Sequence, residues 1–291
     1  MTSEPRIELR AGALRLELNP TVGGSIAAFE YDRRPILRAA KDDSANVIDM
    51  ASFPLVPFVN RIRGGRFSFR GREVRLEPNM PGDQSPLHGQ GWLNPWQVDE
   101  AGETRAVLSF RHAAGEWPWD YEARQEFTLE PRRLTVRLTC RNASAEPMPC
   151  GLGQHPYFPC GPDTMIDTRV SHVWTIDDQV LPVERVPAAG RFDLRKRPVC
   201  GQDLDHGFDN WGGLAWIGDP GRSYDLLLSS TAAGFFQLYS PAAGGIFVAE
   251  PVTHANAALN APEAEWPVLG MRVLAPGKVL NLDMRLEVVP H

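Results

Sequence analysis

The chain has 291 residues, of which 43% are hydrophobic, and its 30 basic and 36 acidic side chains leave a formal charge of −6. That is apolar material enough for a sizeable core, and all-β folds of this length commonly form one unit, so a single domain over 1–291 is expected. The acidic balance and the lack of a dense basic stripe, apart from a short Arg cluster at Arg61, Arg63 and Arg66, argue against nucleic acid as a partner.

Residues 1–18 carry charges throughout and hold no apolar leader core. No stretch approaches the roughly 18 apolar residues that cross a bilayer, so no membrane association and a cytoplasmic location are expected. Cys140, Cys150, Cys160 and Cys200 are too few and too widely spaced for a disulfide framework or a CxxC metal site. All four are expected as buried free thiols.

Along the chain the pattern is strand-like. Leu14, Leu16 and Leu18 alternate with Arg15 and Glu17, and Gly23-Gly24 marks a turn before an apolar run ending near Tyr31. Phe67 and Phe69, an Arg-Gly-Arg turn at 70–72, then Val74 and Leu76 predict a hairpin. A longer hairpin is predicted from 121–129 to 134–142 across Glu130-Pro131-Arg132, with Val136, Leu138 and Cys140 on one face. Runs at 225–229, 235–239 and 245–250 follow, and 271–274 and 279–289 flank Ala-Pro-Gly-Lys. No dozen residues sustain a helical period, and 26 Pro and 26 Gly punctuate the chain. The fold class expected is all-β, as packed antiparallel sheets.

Five segments hold polar residues that such a sandwich does not itself require. Asn60-Arg61 directly follows the apolar run 53–59, and the Arg fork suits paired oxygens, although a solvated turn has the same composition. His88 lies between Leu87 and Gly89, with Trp92 and Trp96 close behind as candidate sugar-stacking rings. His155 is held extended by Pro156 and can serve as an acid or base near neutrality. Asp205 and Asp209 flank His206, where turn capping is the plain alternative. Gln237 lies in an apolar strand, and Glu250 closes another, where a buried carboxylate is costly unless paired or functional.

In this order the segments resemble the aldose 1-epimerase, or galactose mutarotase-like, family, from about residue 15 to 286. The marks are Asn-Arg-Ile with Gly-Arg-Phe, Leu-His-Gly, His-Pro-Tyr-Phe, Asp-His-Gly-Phe, Gln-Leu-Tyr, and Glu-Pro-Val-Thr close to Asn256. The resemblance implies a large antiparallel β-sandwich with an open cleft on one sheet, and interconversion of the α and β anomers of a free aldose. It also implies no metal and no cofactor and a small sugar as the partner; monomer and homodimer both stay open. Carried over by motif, Glu250 is the general base and His155 the general acid, while Asn60, Arg61, His88, Asp205 and Gln237 hold sugar hydroxyls. Asp205 is preferred to Asp209 because His206 and Phe208 then fit the motif. The sequence departs from the galactose-type pattern in Gln-His-Pro-Tyr-Phe and Glu-Pro-Val-Thr-His, which leaves the sugar preference open.

For this chemistry Glu250 is expected ionised and His155 protonated, the carboxylate raising the imidazole's pKa and burial raising the carboxyl's. A rival reading takes a hexose 6-phosphate, and needs arginines such as Arg61 and Arg63 on one strand face. Another is a carbohydrate-binding or sensor protein without turnover. His206 and His254 are read as isolated histidines without ligand spacing.

Overall fold

The computed structural model describes residues 6–41 and 44–291. Strands dominate, and among the described residues helix is confined to six three-residue 3₁₀ turns. The predicted hairpins form. Strands Arg66–Phe69 and Arg72–Arg75 pair with Phe69 opposite Arg72, so the turn is the two residues Arg70-Gly71. Both have positive φ, as a tight two-residue hairpin demands. Tyr121–Glu130 pairs with Arg133–Asn142 along its whole length, and Val136, Leu138 and Cys140 all face the core.

Two large sheets carry the architecture. One has nine strands, with Val279–Pro290 at its centre between Tyr224–Ser229 and Arg133–Asn142. The other has eight and includes, as neighbours, His172–Ile176, Leu204–Asp209, Phe235–Ser240 and Ile246–Val252. Pairing between these strands is antiparallel. Leu138, Leu226 and Met284 of the first sheet join Phe208, Phe236, Leu238 and Phe247 of the second in one apolar cluster. This is the expected all-β sandwich, with the core between the sheets.

Strand alternation sends the odd-numbered members of Leu204–Asp209 and Phe235–Ser240 to the other face. Asp205 stands opposite Tyr239, and Gln237 opposite Glu250, so these four side chains share the outer face of the eight-stranded sheet. A second apolar cluster, including Phe53, Leu87, Trp92, Tyr157 and Val248, lies over that face. It packs the loops that carry Asn60 and His88 against Tyr157 and against Val248 of the sheet, and it turns part of the sheet surface into a walled cavity.

The cysteine expectation is corrected. Cys140 and Cys150 are buried free thiols, but Cys160 and Cys200 form a disulfide with their Cα atoms 5.7 Å apart. Cys160 follows strand Tyr157–Pro159 and Cys200 follows Arg197–Pro198. Gly245 holds both, accepting from the Cys160 N–H and donating its own N–H to the Cys200 sulfur. Forty residues separate the pair in sequence, so spacing could not reveal the bond. Trp117, Trp119 and Trp211 fill the core rather than the cleft.

Candidate active site

The chain from Phe53 to Arg63 and the loop around His88 interlock above the sheet. The His88 N–H donates to the Asn60 carbonyl at 3.0 Å, and the Asn60 N–H donates back to Nδ1 of His88 at 3.1 Å. Both residues have positive φ, which lets each backbone fold onto the other. Gly89 completes the contact, because a Cβ there would overlap the Val56 carbonyl. With Nδ1 accepting, a neutral His88 carries its hydrogen on Nε2. Burial, aided by His155 and Arg61, pushes the His88 pKa well down and keeps the ring neutral. His88 is therefore a hydrogen-bond donor at the cavity wall.

Asn60 also starts a side-chain chain along the cavity floor. Its amide donates to Oε1 of Gln237 at 3.3 Å, and Nε2 of Gln237 donates to Oδ1 of Asp205 at 2.7 Å. Burial raises the Asp205 pKa, while Arg61 and the Gln237 amide oppose the rise. Arg61 is fixed at two points: its N–H donates to Oδ1 of Asn256 at 3.0 Å, and its Nε to Oδ2 of Asp83 at 2.8 Å.

His155 and Glu250 face each other across this floor, with Nε2 3.5 Å from Oε1. The imidazole is stacked on Phe53, ring centres 4.5 Å apart, and lies 4.7 Å from Tyr157. Nδ1 of His155 and Oε2 of Glu250 are buried and have no hydrogen-bond partner among the described residues. Burial drives the Glu250 pKa well up, with Asp205 adding to it. It drives His155 down to about 3. The expected rise of the Glu250 pKa with burial is found, whereas His155 is lowered rather than raised. Desolvation outweighs the attraction, and both shifts favour the uncharged pair.

The cavity has a volume of about 270 Å³ and is lined by Asn60, Arg61, His88, His155, Asp205 and Glu250, with Trp92, Tyr157 and Tyr239 among its aromatic walls. Gln237 lies just beneath, bonded to two lining residues. All seven residues singled out in the sequence are therefore gathered at one place. Asp209 is elsewhere, held by Arg185 at 2.5 Å. Trp96 is in the core, donating to the Gly91 carbonyl.

The expected Arg61–Arg63 face does not form. Ile62 precedes a 3₁₀ turn at Arg63–Gly65, and Arg63 turns to Asp177 and the Pro182 carbonyl. Among the described residues Arg61 is the only arginine lining the cavity.

Several residues at the site were missed in the sequence. Asp83 sits in a polar Pro-Gly-Asp turn, whose composition says nothing beyond a loop. Arg38 stacks on Tyr157 at 3.8 Å and donates to the carbonyls of Ile48 and Met50, bracing the cavity wall. His254, read as isolated, accepts the Val59 N–H at 2.9 Å beside Asn60. Its place in the Glu-Pro-Val-Thr-His stretch was the available signal. Among the described residues no group of three or more His, Cys, Asp or Glu is placed to hold a metal ion, and no helix is long and apolar enough to cross a membrane.

Comparison with known proteins bears on the family and the fold. The family model described as aldose 1-epimerase matches residues 5–287. The uncharacterized protein YphB of Escherichia coli (strain K12) is 35% identical over 291 residues, covering 96% of this chain and 97% of its own. A crystal structure of an Escherichia coli K12 protein described as a candidate aldose 1-epimerase superposes with a TM-score of 0.91 at 33% identity, covering 99% of both chains. A galactose mutarotase-like protein from Clostridium acetobutylicum shares the fold, with a TM-score of 0.84 at 18% identity over 98% of this chain and 95% of its own. Matched almost from end to end by that family model and by a relative of nearly the same extent, this chain belongs to the aldose 1-epimerase family.

Proposed function

We propose that this protein is an aldose 1-epimerase acting on a free, neutral monosaccharide, with Glu250 and His155 as its acid–base pair. The observation that carries the reading is the 3.5 Å between Nε2 of His155 and Oε1 of Glu250, each side chain having another buried polar atom unpartnered among the described residues. Mutarotation moves protons at two oxygens bonded to one carbon, the anomeric hydroxyl and the ring oxygen. An acid and a base serving both must lie within a few ångströms of each other, as these do.

In the proposed sequence the Glu250 carboxylate takes the proton from the anomeric hydroxyl. The electron pair of that O–H bond forms the C1=O bond as the C1–O5 bond breaks. O5 takes a proton from the His155 imidazolium. The open-chain aldehyde then turns about C1–C2, and O5 attacks the other face with the two proton transfers reversed. The starting charge state is supplied by the substrate: sugar hydroxyls donating to Glu250 favour its ionised form, and an ionised Glu250 favours the imidazolium. Asn60, Arg61, His88, Asp205 and Gln237 hold the remaining hydroxyls, donors and acceptors alternating around the cavity.

The size of the cavity, about 270 Å³, is near the lower end of small-ligand sites, which run about 300–1,000 Å³, and suits one sugar ring. A phosphorylated hexose is disfavoured because Arg61 is already paired with Asp83 and Arg63 is engaged away from the cavity. A binder without turnover has no use for an adjacent acid and base.

Polarimetry on freshly dissolved α-D-glucose and α-D-galactose tests the proposal. Faster decay to an unchanged final rotation, insensitive to EDTA, is expected. No acceleration with any free aldose would overturn it.

A further inference from the structure

We propose that Asp83 is a specificity-determining residue, which holds Arg61 and offsets its charge so that the cavity admits neutral aldoses and rejects anionic sugars. This rests on the mutarotase reading and deepens it by naming a residue that sets the substrate class. Asp83 lies outside every motif that marks the family resemblance, and it reaches the site only through the fold.

Its position is tightly determined. The loop that carries it is closed at its base by Asn79, whose side chain accepts the Leu87 N–H at 2.7 Å and donates to the Leu87 carbonyl at 2.8 Å. Gly82, with φ near 87°, turns the chain at the tip. Oδ1 of Asp83 then accepts the Ser85 N–H at 2.9 Å, which leaves Oδ2 for Nε of Arg61 at 2.8 Å. Gln84, the next residue, accepts from the Gln179 amide at 3.0 Å, which ties the loop to a segment 95 residues away. Met80 of the same loop lines the cavity. Both partners of the Asp83–Arg61 pair are only 14% exposed, so water screens their interaction weakly.

That contact has two effects. Gripping Arg61 at Nε leaves its two terminal nitrogens as a fixed fork of donors, suited to adjacent hydroxyls. It also offsets the guanidinium charge, because among the described residues Asp83 is the only side chain in an ion pair with Arg61. A phosphate or a sugar carboxylate entering there meets no uncompensated positive charge. Without the Asp83 charge, Arg61 becomes an uncompensated cation at the mouth of a sugar-sized cavity, which is what an anionic sugar requires.

The test compares wild type with Asp83→Asn, and with Asp83→Ser should the first fail to fold. It uses mutarotation kinetics on the best neutral aldose, inhibition by glucose 6-phosphate and by galacturonate, and thermal denaturation. The expected result is a KM for the neutral aldose raised about tenfold, kcat within about threefold, and anion inhibition strengthened about tenfold, changes of the size of one charged contact. A residue that merely stabilised the loop would lower Tm and weaken all ligands together. Loss of neutral-sugar affinity with unchanged anion inhibition would overturn the proposal while leaving the mutarotase reading intact. Absence of any aldose turnover in wild type would instead sink that reading. Calorimetric titration with the same anions would then still decide Asp83, since a gain in affinity on substitution supports it and no gain refutes it.

Discussion

The backbone N–H of Val59 donates to Nε2 of His254 at 2.9 Å, joining residues 195 apart in sequence in the wall behind the candidate active site. Nδ1 of the same ring contacts the Ala255 carbonyl at 2.8 Å, so one nitrogen accepts, the other donates, and the tautomer is settled. Burial pushes this histidine down to about 4 and keeps it neutral. Gly151 packs against the ring, and a Cβ at that position would overlap it. The ring thus ties the segment bearing Asn60 and Arg61 to the strand end just beyond Glu250.

His254→Ala should leave a buried N–H and a buried carbonyl unpaired beside a new cavity. The expected cost is about 2–4 kcal/mol, read by urea denaturation, with KM rising because Val59, next to Asn60, loses its anchor. Gly151→Ala should destabilise by displacing the same ring. A His254→Ala protein of wild-type stability would show that the two hydrogen bonds contribute nothing.

Glu250→Gln should reduce the mutarotation rate by about 10²–10⁴, with sugar binding by calorimetry nearly unchanged, since the amide keeps the shape and loses the proton transfer. His155→Asn should reduce it to a similar extent. Because burial has forced the Glu250 carboxyl well above its ordinary pKa, removing it should also raise Tm, by about 2–4 °C for about 1 kcal/mol. A Glu250→Gln enzyme of normal rate would remove this residue as the base.

Acid should unfold the protein early. His155 is held down to about 3 and His254 to about 4, and His88 is also depressed by burial. The unfolded histidines titrate near 6.5, so between that value and the folded pKa the unfolded chain binds more protons. Stability from these rings is complete above about 6.5 and is lost as pH falls. Between 6.5 and 5 the loss is about 2 kcal/mol for each of His155 and His254. Glu250 acts in the opposite sense, since its raised pKa makes stability fall as pH rises from 4.5. Urea denaturation at pH 7.5 and 5 should therefore show the lower stability at pH 5, and Glu250→Gln should widen the difference.

Reduction of the Cys160–Cys200 bond, or Cys160→Ser, should lower stability. For a 40-residue separation the chain-entropy relation gives about 3–5 kcal/mol, between its values for loops of 15 and 100 residues. The bond lies away from the cavity lining, so initial rates at 25 °C should not change. Equal stability with and without reductant would show that the cross-link restrains little.

Period-two alternation made the strands legible from sequence alone, because one face of each strand is buried and a slip of one residue would invert it. The same rule placed Val136, Leu138 and Cys140 inward. The seven polar residues of the site stood out because each lay in a stretch where an ordinary sandwich needs no polar side chain, and their order matched a family. Local pattern could go no further. Asp83 on Arg61, His254 on Val59 and Cys160 on Cys200 join segments 22, 195 and 40 residues apart, and no periodicity encodes such pairs. The directions of the Glu250 and His155 pKa shifts likewise come from tertiary structure. Sequence supplies the opposite charges that attract, but only the packed cavity supplies the desolvation that overrides them, by taking both groups out of water.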